Sequence, residues 1–71
     1  MFSDFKKKLG NRIKEIRKSR GMSREEVAFE CDFSGSYMGM IERAEYDFKI
    51  SMLYNIAKAL KIELKDLLNF E

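Results

Sequence analysis

The 71-residue sequence predicts an all-α domain of five short helices around one core. Three observations lead there. Apolar residues recur three and four apart along most of the chain, the spacing of one face of a helix. No proline interrupts that pattern. Serines stand where helices should start, and glycine or aspartate stands where two of them should stop. The length allows one domain, spanning residues 1–71.

The first helix is expected over Ser3 to Ser19, with Phe2, Phe5, Leu9, Ile13 and Ile16 on one stripe. Gly21 follows where a left-handed C-terminal cap belongs. The second helix starts at Ser23. Glu26, three residues on, completes a Ser-x-x-Glu capping box, and Met22 and Val27 bracket the start as a hydrophobic staple. Val27, Ala28 and Cys31 mark its inner face, and it must stop near Asp32. The third helix starts at Ser34, with Phe33 and Met38 repeating the staple spacing and Phe33, Met38 and Ile41 facing inward. Its other face shows Ser34, Gly35, Ser36, Gly39, Met40 and Arg43. Two glycines weaken this helix by about 1 kcal/mol each relative to alanine, so packing must hold it.

Ala44–Lys49 reads as a loop, with Asp47 the best available cap for the fourth helix. That helix is expected from Phe48 or Ile50 to Leu60, on the stripe Ile50, Leu53, Ile56, Ala57 and Leu60. A fifth, from Glu63 to Leu68, turns Leu64, Leu67 and Leu68 inward. Glu63 and Asp66 near its start suit the positive end of a helix.

Composition excludes several classes of function. No apolar run approaches the ~20 residues a membrane span needs, and MFSDFKKKLG has no apolar stretch after its basic cluster, so it is not expected to be a signal peptide. The basic first helix could lie on a membrane surface, but the core needs its apolar stripe. With no histidine, a Cys/His zinc site lacks ligands and general acid–base chemistry lacks its usual residue. Cys31 is the sole cysteine and has no basic partner of the triad kind. It reads as a small buried hydrophobe in a reducing, cytosolic setting. The glycines form no phosphate-cradling loop after a strand. Neither an enzyme nor a cofactor is expected.

A chain this short buries only about 60% of its unfolded surface. With no disulfide possible inside the monomer, a second copy is the natural source of extra stability. The net charge of +2 hides an asymmetry: residues 1–24 carry nine basic and two acidic groups, a balance of +7, against −5 for the remainder. A basic half points to an anionic partner, nucleic acid first, or to a solvated helix face.

From Leu9 to Leu68 the chain resembles the Cro/repressor-type helix-turn-helix family, also called the Xre family. The resemblance is carried by Met22-Ser23-Arg24-Glu25-Glu26-Val27-Ala28, Phe33-Ser34-Gly35-Ser36-Tyr37-Met38 and Ile41-Glu42-Arg43. Ile56-Ala57-Lys58-Ala59-Leu60 and Asp66-Leu67-Leu68 extend it. It implies a five-helix lambda-repressor-like fold with a central helix-turn-helix over about 23–43. Its members include small phage repressors and restriction–modification controller proteins. The function implied is sequence-specific regulation of transcription by a cytoplasmic, bacterial or phage-encoded homodimer on palindromic double-stranded DNA, with RNA polymerase a further candidate partner. The same fold also serves as a protein-interaction module, such as an antitoxin or adaptor.

In such a motif one helix crosses the DNA backbone and the next lies in the major groove. The resemblance places Ser34, Gly35, Ser36, Gly39 and Met40 toward the groove, unless Gly39 and Met40 pack on another helix. Serines and glycines read bases weakly, so specificity would lean on Arg43 and DNA shape. Arg24, where relatives often carry Gln, is expected on a phosphate or in solvent. Tyr37 is expected on the DNA backbone, as in controller proteins, or half-buried in the core; Tyr46 can reach the backbone from the loop. Arg43 suits guanine, a phosphate or an ion pair. Arg17 and Glu42 match positions that pair in phage repressors, which would tie the first helix to the third; Arg17 could instead lie near a phosphate. Lys6, Lys7 and Lys8 read as solvated charge. Asp32, Ala44 and Asp47 stand where the family usually has Gly, Gly and Asn. Phe48, Met52, Tyr54 and Phe70 lie off the inner stripe and are the candidates for a dimer interface, or else complete the monomer core.

Overall fold

The computed structural model describes residues 2–70, and side chains from Asp4 onward. Phe2, expected on the first stripe, lies outside the described side chains. Five helices form among the described residues: α1 (Phe2–Ser19), α2 (Arg24–Cys31), α3 (Gly35–Glu42), α4 (Ile50–Ala59) and α5 (Leu64–Leu67). One core joins them. Leu9 and Ile13 of α1, Val27, Ala28 and Cys31 of α2 and Met38 and Ile41 of α3 share it, with α3 packed between α1 and α2. Met52, Leu53, Ile56, Ala57, Leu60 and Leu67 close it from the other side.

The helix starts of the central motif are as the sequence expects. Ser23 Oγ accepts from the Glu26 N–H (3.1 Å) while Glu26 Oε1 accepts from the Ser23 N–H (2.7 Å). Ser34 Oγ accepts from the Tyr37 N–H (3.0 Å). Asp47 does not cap α4; it pairs with Lys6 Nζ at 2.9 Å. Lys49 holds the N-cap position without a side-chain bond, so α4 is held by its packed face rather than by its first turn.

Four helices end alike, with a left-handed residue whose N–H and next N–H turn back on the last carbonyls. Gly21 (φ 68°) ends α1, Asp32 (62°) ends α2, Ala44 (60°) ends α3 and Lys61 (63°) ends α4. The paired bonds include Met22 N–H to Arg17 O (3.1 Å), Phe33 N–H to Ala28 O (2.7 Å), Glu45 N–H to Met40 O (2.9 Å) and Ile62 N–H to Ala57 O (3.0 Å). Three of the four residues carry a Cβ, which costs about 1–2 kcal/mol in this conformation. The chain tolerates these because the bonds they close are made inside one cooperative core.

Three expected stripes are corrected. On α4, Ile50 is 69% exposed while Met52 is 6% exposed and lies in the core. The inner arc of this helix is centred on Met52, Leu53, Ile56, Ala57 and Leu60, which leaves Ile50 and Tyr54, one turn apart, on the outside together. Leu68, expected inward on α5, is exposed, because the last turn ends at Leu67. Phe5 is also half in solvent, with its ring 5.5 Å from that of Phe70. Arg12 Nη2 donates to the Asp66 carbonyl (2.8 Å) and ties α1 to α5.

Candidate nucleic-acid interface

Helices α2 and α3 are locked at the turn by four apolar groups. Val27, Ala28, Met38 and Ile41 are fully buried, and Phe33 packs half-buried beside them. Ala28 supplies the small side chain the close crossing needs, and Asp32 supplies the left-handed turn residue that is usually glycine. With its back held in this way, α3 presents Ser36, Met40 and Arg43 outward, one turn apart, with Ser36 and Arg43 exposed and Met40 half-exposed.

The two glycines of α3 are not open gaps. Gly39 is buried. A Cβ built there would lie 3.2 Å from Arg43 Nη1 and 3.9 Å from Arg24 Nη1. At Gly35 a Cβ would meet the Glu25 carboxylate at 3.3 Å. The first turn of α2 therefore lays its side chains along α3, over the places where α3 has none.

A buried carboxylate organises this arrangement. Arg17 Nε donates to Glu42 Oε2 (2.6 Å), and Arg17 Nη1 donates to the Met22 carbonyl (2.8 Å). Arg24 Nε donates to Glu42 Oε1 at 3.0 Å. The Glu42 side chain is 1% exposed, so its two oxygens are shared between α1 and α2 out of reach of water. The sequence reading pairs Arg17 with Glu42 but sends Arg24 to a phosphate or to solvent. The structure bonds Arg24 Nε to Glu42 and brings its Nη1 toward Gly39, with the side chain still 39% exposed. Among the described residues no buried side-chain nitrogen or oxygen lacks a partner.

Gly10 is a residue that the reading missed. A Cβ there would lie 2.6 Å from the Glu42 carbonyl oxygen and 3.0 Å from that of Ile41. Only a glycine lets α1 cross so close to the C-terminal end of α3. Helical periodicity gives no sign of this, since Gly10 falls between stripe positions.

Tyr37 lies half-buried. Its ring stands edge-on to Phe33, with centroids 5.0 Å apart, and its hydroxyl donates to Met52 Sδ at 3.5 Å. The Tyr46 ring lies tilted against that of Tyr37, with centroids 5.2 Å apart, and stays exposed. Tyr46 is the outermost of the two, and Tyr37 is half-buried beneath it. Arg43 is exposed, its Nε donating to Glu45 Oε2 at 3.1 Å. An exposed pair two residues apart is worth little, so Arg43 is available to another acceptor.

The interface candidates separate. Tyr54 is 55% exposed, with Lys58 Nζ 5.9 Å from its ring centroid. Phe48 and Phe70 are half-buried against the core, and Met52 belongs to the core and offers a partner almost nothing. Cys31 is buried, and burial first, then Glu30, pushes its thiol up to about 11, which leaves it protonated and inert at neutral pH. No described helix is long and apolar enough to cross a membrane.

Comparison with known proteins agrees with this geometry. Residues 13–67 match the helix-turn-helix family HTH_3. The chain is 40% identical over 62 residues to the control protein C.BamHI of Bacillus amyloliquefaciens, covering 86% of this chain and 76% of that protein. It is 36% identical to the immunity repressor protein of Bacillus phage phi105 over 89% of this chain, though over only 44% of that repressor. Among solved structures, the restriction–modification controller protein C.AhdI of Aeromonas hydrophila superposes with a TM-score of 0.84. It is 34% identical, over 90% of this chain and 96% of that one. The chain belongs to the HTH_3 helix-turn-helix family of DNA-binding transcription regulators, a family without enzymatic activity.

Proposed function

We propose that this chain is a cytoplasmic regulator that binds a palindromic operator in double-stranded DNA as a homodimer, with α3 in the major groove. The observation that carries the reading is the outward stripe Ser36, Met40 and Arg43 on a helix whose back is fully buried. Arg24, Ser34, Gly35, Ser36, Tyr37, Gly39, Met40, Arg43 and Tyr46 form or support that surface. The basic balance of residues 1–24 adds attraction to a polyanion.

Two copies follow from size and surface. The longest dimension of the described chain is 31 Å, while adjacent half-sites are centred about 34 Å apart, so one chain cannot read both. Ile50, Tyr54 and Leu68 are exposed apolar groups of the second half, and an isologous contact there would bury them on a two-fold axis. Phe48 lines a groove with Ile50, Leu68 and Phe5, and Phe70 packs on Phe5.

The test is selection of bound duplexes from a random DNA pool. An inverted repeat with half-sites one helical turn apart is expected, and Arg43→Ala should lose at least about tenfold in affinity for it while keeping its helicity. A pool that emerges without a preferred sequence would overturn the proposal.

One observation favours a second reading, a protein-interaction module. Phe29 is 84% exposed on the outer face of α2, beside Glu26 and Glu30. Such an exposed aromatic among acidic neighbours in the chain suits a basic protein surface. Phe29→Ser should leave DNA binding unchanged under the main reading.

A further inference from the structure

We infer that Arg24, although it belongs to α2, reads a base in the major groove together with Arg43, the two guanidinium groups meeting over Gly39 and taking the O6 and N7 acceptors of one guanine. This rests on the operator-binding reading above and names the specificity determinant within it.

The geometry supports a base rather than a phosphate. The N-terminus of the second helix ordinarily meets the DNA backbone, because that helix crosses it. Here Arg24 does not extend along its own helix axis. Glu42, buried and already bonded to Arg17, holds Arg24 Nε at 3.0 Å and swings the guanidinium across to α3. Its Nη1 comes within 3.9 Å of the point where a Gly39 Cβ would stand, and Arg43 Nη1 comes within 3.2 Å of the same point. Gly39 lies between Ser36 and Arg43 on the stripe that faces base edges when α3 lies in the groove. Arg24 therefore fills the one place on that stripe where α3 contributes nothing.

The bonding pattern fits as well. Both arginines commit Nε to a carboxylate, Arg24 to Glu42 and Arg43 to Glu45. That leaves the Nη groups, and one from each arginine matches the two acceptors, O6 and N7, that a single guanine presents. The Arg24 bond is to a buried carboxylate, so its guanidinium is fixed before DNA arrives and loses less side-chain freedom on binding. A methyl at position 39 would crowd the Arg43 guanidinium, 3.2 Å away, and would rest against that of Arg24, 3.9 Å away, at the point where the two meet.

The test compares each single base-pair change in the selected duplex for the wild-type chain, Arg24→Ala and Gly39→Ala. The wild type is expected to lose about tenfold or more at one G·C pair per half-site. Arg24→Ala should lose discrimination at that pair alone, with the penalties elsewhere and the salt dependence on random DNA unchanged. Gly39→Ala, which raises helix propensity and so should fold, should blunt the same pair. A uniform loss across all positions, with the salt slope reduced by about one, would make Arg24 a phosphate contact and overturn the inference. A wild-type chain with no preferred duplex would overturn the operator reading itself, and this inference with it.

Discussion

The two sides of this molecule are built on opposite principles. On the side of α2 and α3, the helix starts and the helix crossings are fixed by directional bonds: Ser23 with Glu26, Ser34 with Tyr37, and Arg17 and Arg24 on Glu42. On the side of α4 and α5, Ile50, Tyr54 and Leu68 stand exposed without any such brace, and α4 starts without a side-chain cap. Reading a base edge needs donors held in place, whereas burying apolar area is non-directional. The first side should therefore be sensitive to the loss of one bond. The second should yield its partner without losing its fold.

The sharpest way to break the contrast is Glu42→Ala. It removes the carboxylate that Arg17 and Arg24 share and leaves the Arg17 charge buried, at a cost of about 3–5 kcal/mol in urea unfolding. A loss under about 1 kcal/mol would mean that the brace is superficial. Gly10→Ala comes next. Its methyl would sit 2.6 Å from the Glu42 carbonyl oxygen, so α1 must move off α3 at about 1–3 kcal/mol, read as a lower Tm with helicity kept. Tyr54→Asp addresses the other side: half the particle mass in light scattering and about a tenfold weaker hold on DNA, with helicity kept and a urea midpoint that is lower and no longer depends on protein concentration. The smallest effect is a gain. Ala44→Gly and Lys61→Gly each relieve a left-handed residue (φ 60° and 63°) and should add about 0.5–1 kcal/mol, a rise in Tm of about 4 °C.

The sequence made the braced starts legible because their chemistry is local. A Ser followed three residues on by Glu needs no tertiary information, and Asp32 announces a left-handed turn by residue type alone. The site was legible only where it is carried by residues of α3 itself. That Arg24 turns to Glu42 depends on how α2 lies against α3, and Glu42 had already found a partner in Arg17, so no pattern called for a second. Gly10 was silent for the same reason: a glycine between stripe positions shows its purpose only when another backbone arrives beside it. Ile50 and Met52 exchanged places because an arc of apolar residues wider than half a helix fits two centres equally well. Lys61 gave no warning at all, since lysine has no preference for the conformation it adopts.

Binding of the selected duplex at increasing salt, with the stoichiometry measured at each step, tests the central claim most directly. Two chains per duplex are predicted, with log affinity falling linearly in log salt and a loss of about a thousandfold between about 50 and 200 mM. Binding that is indifferent to salt, or one chain per duplex at saturation, would contradict it.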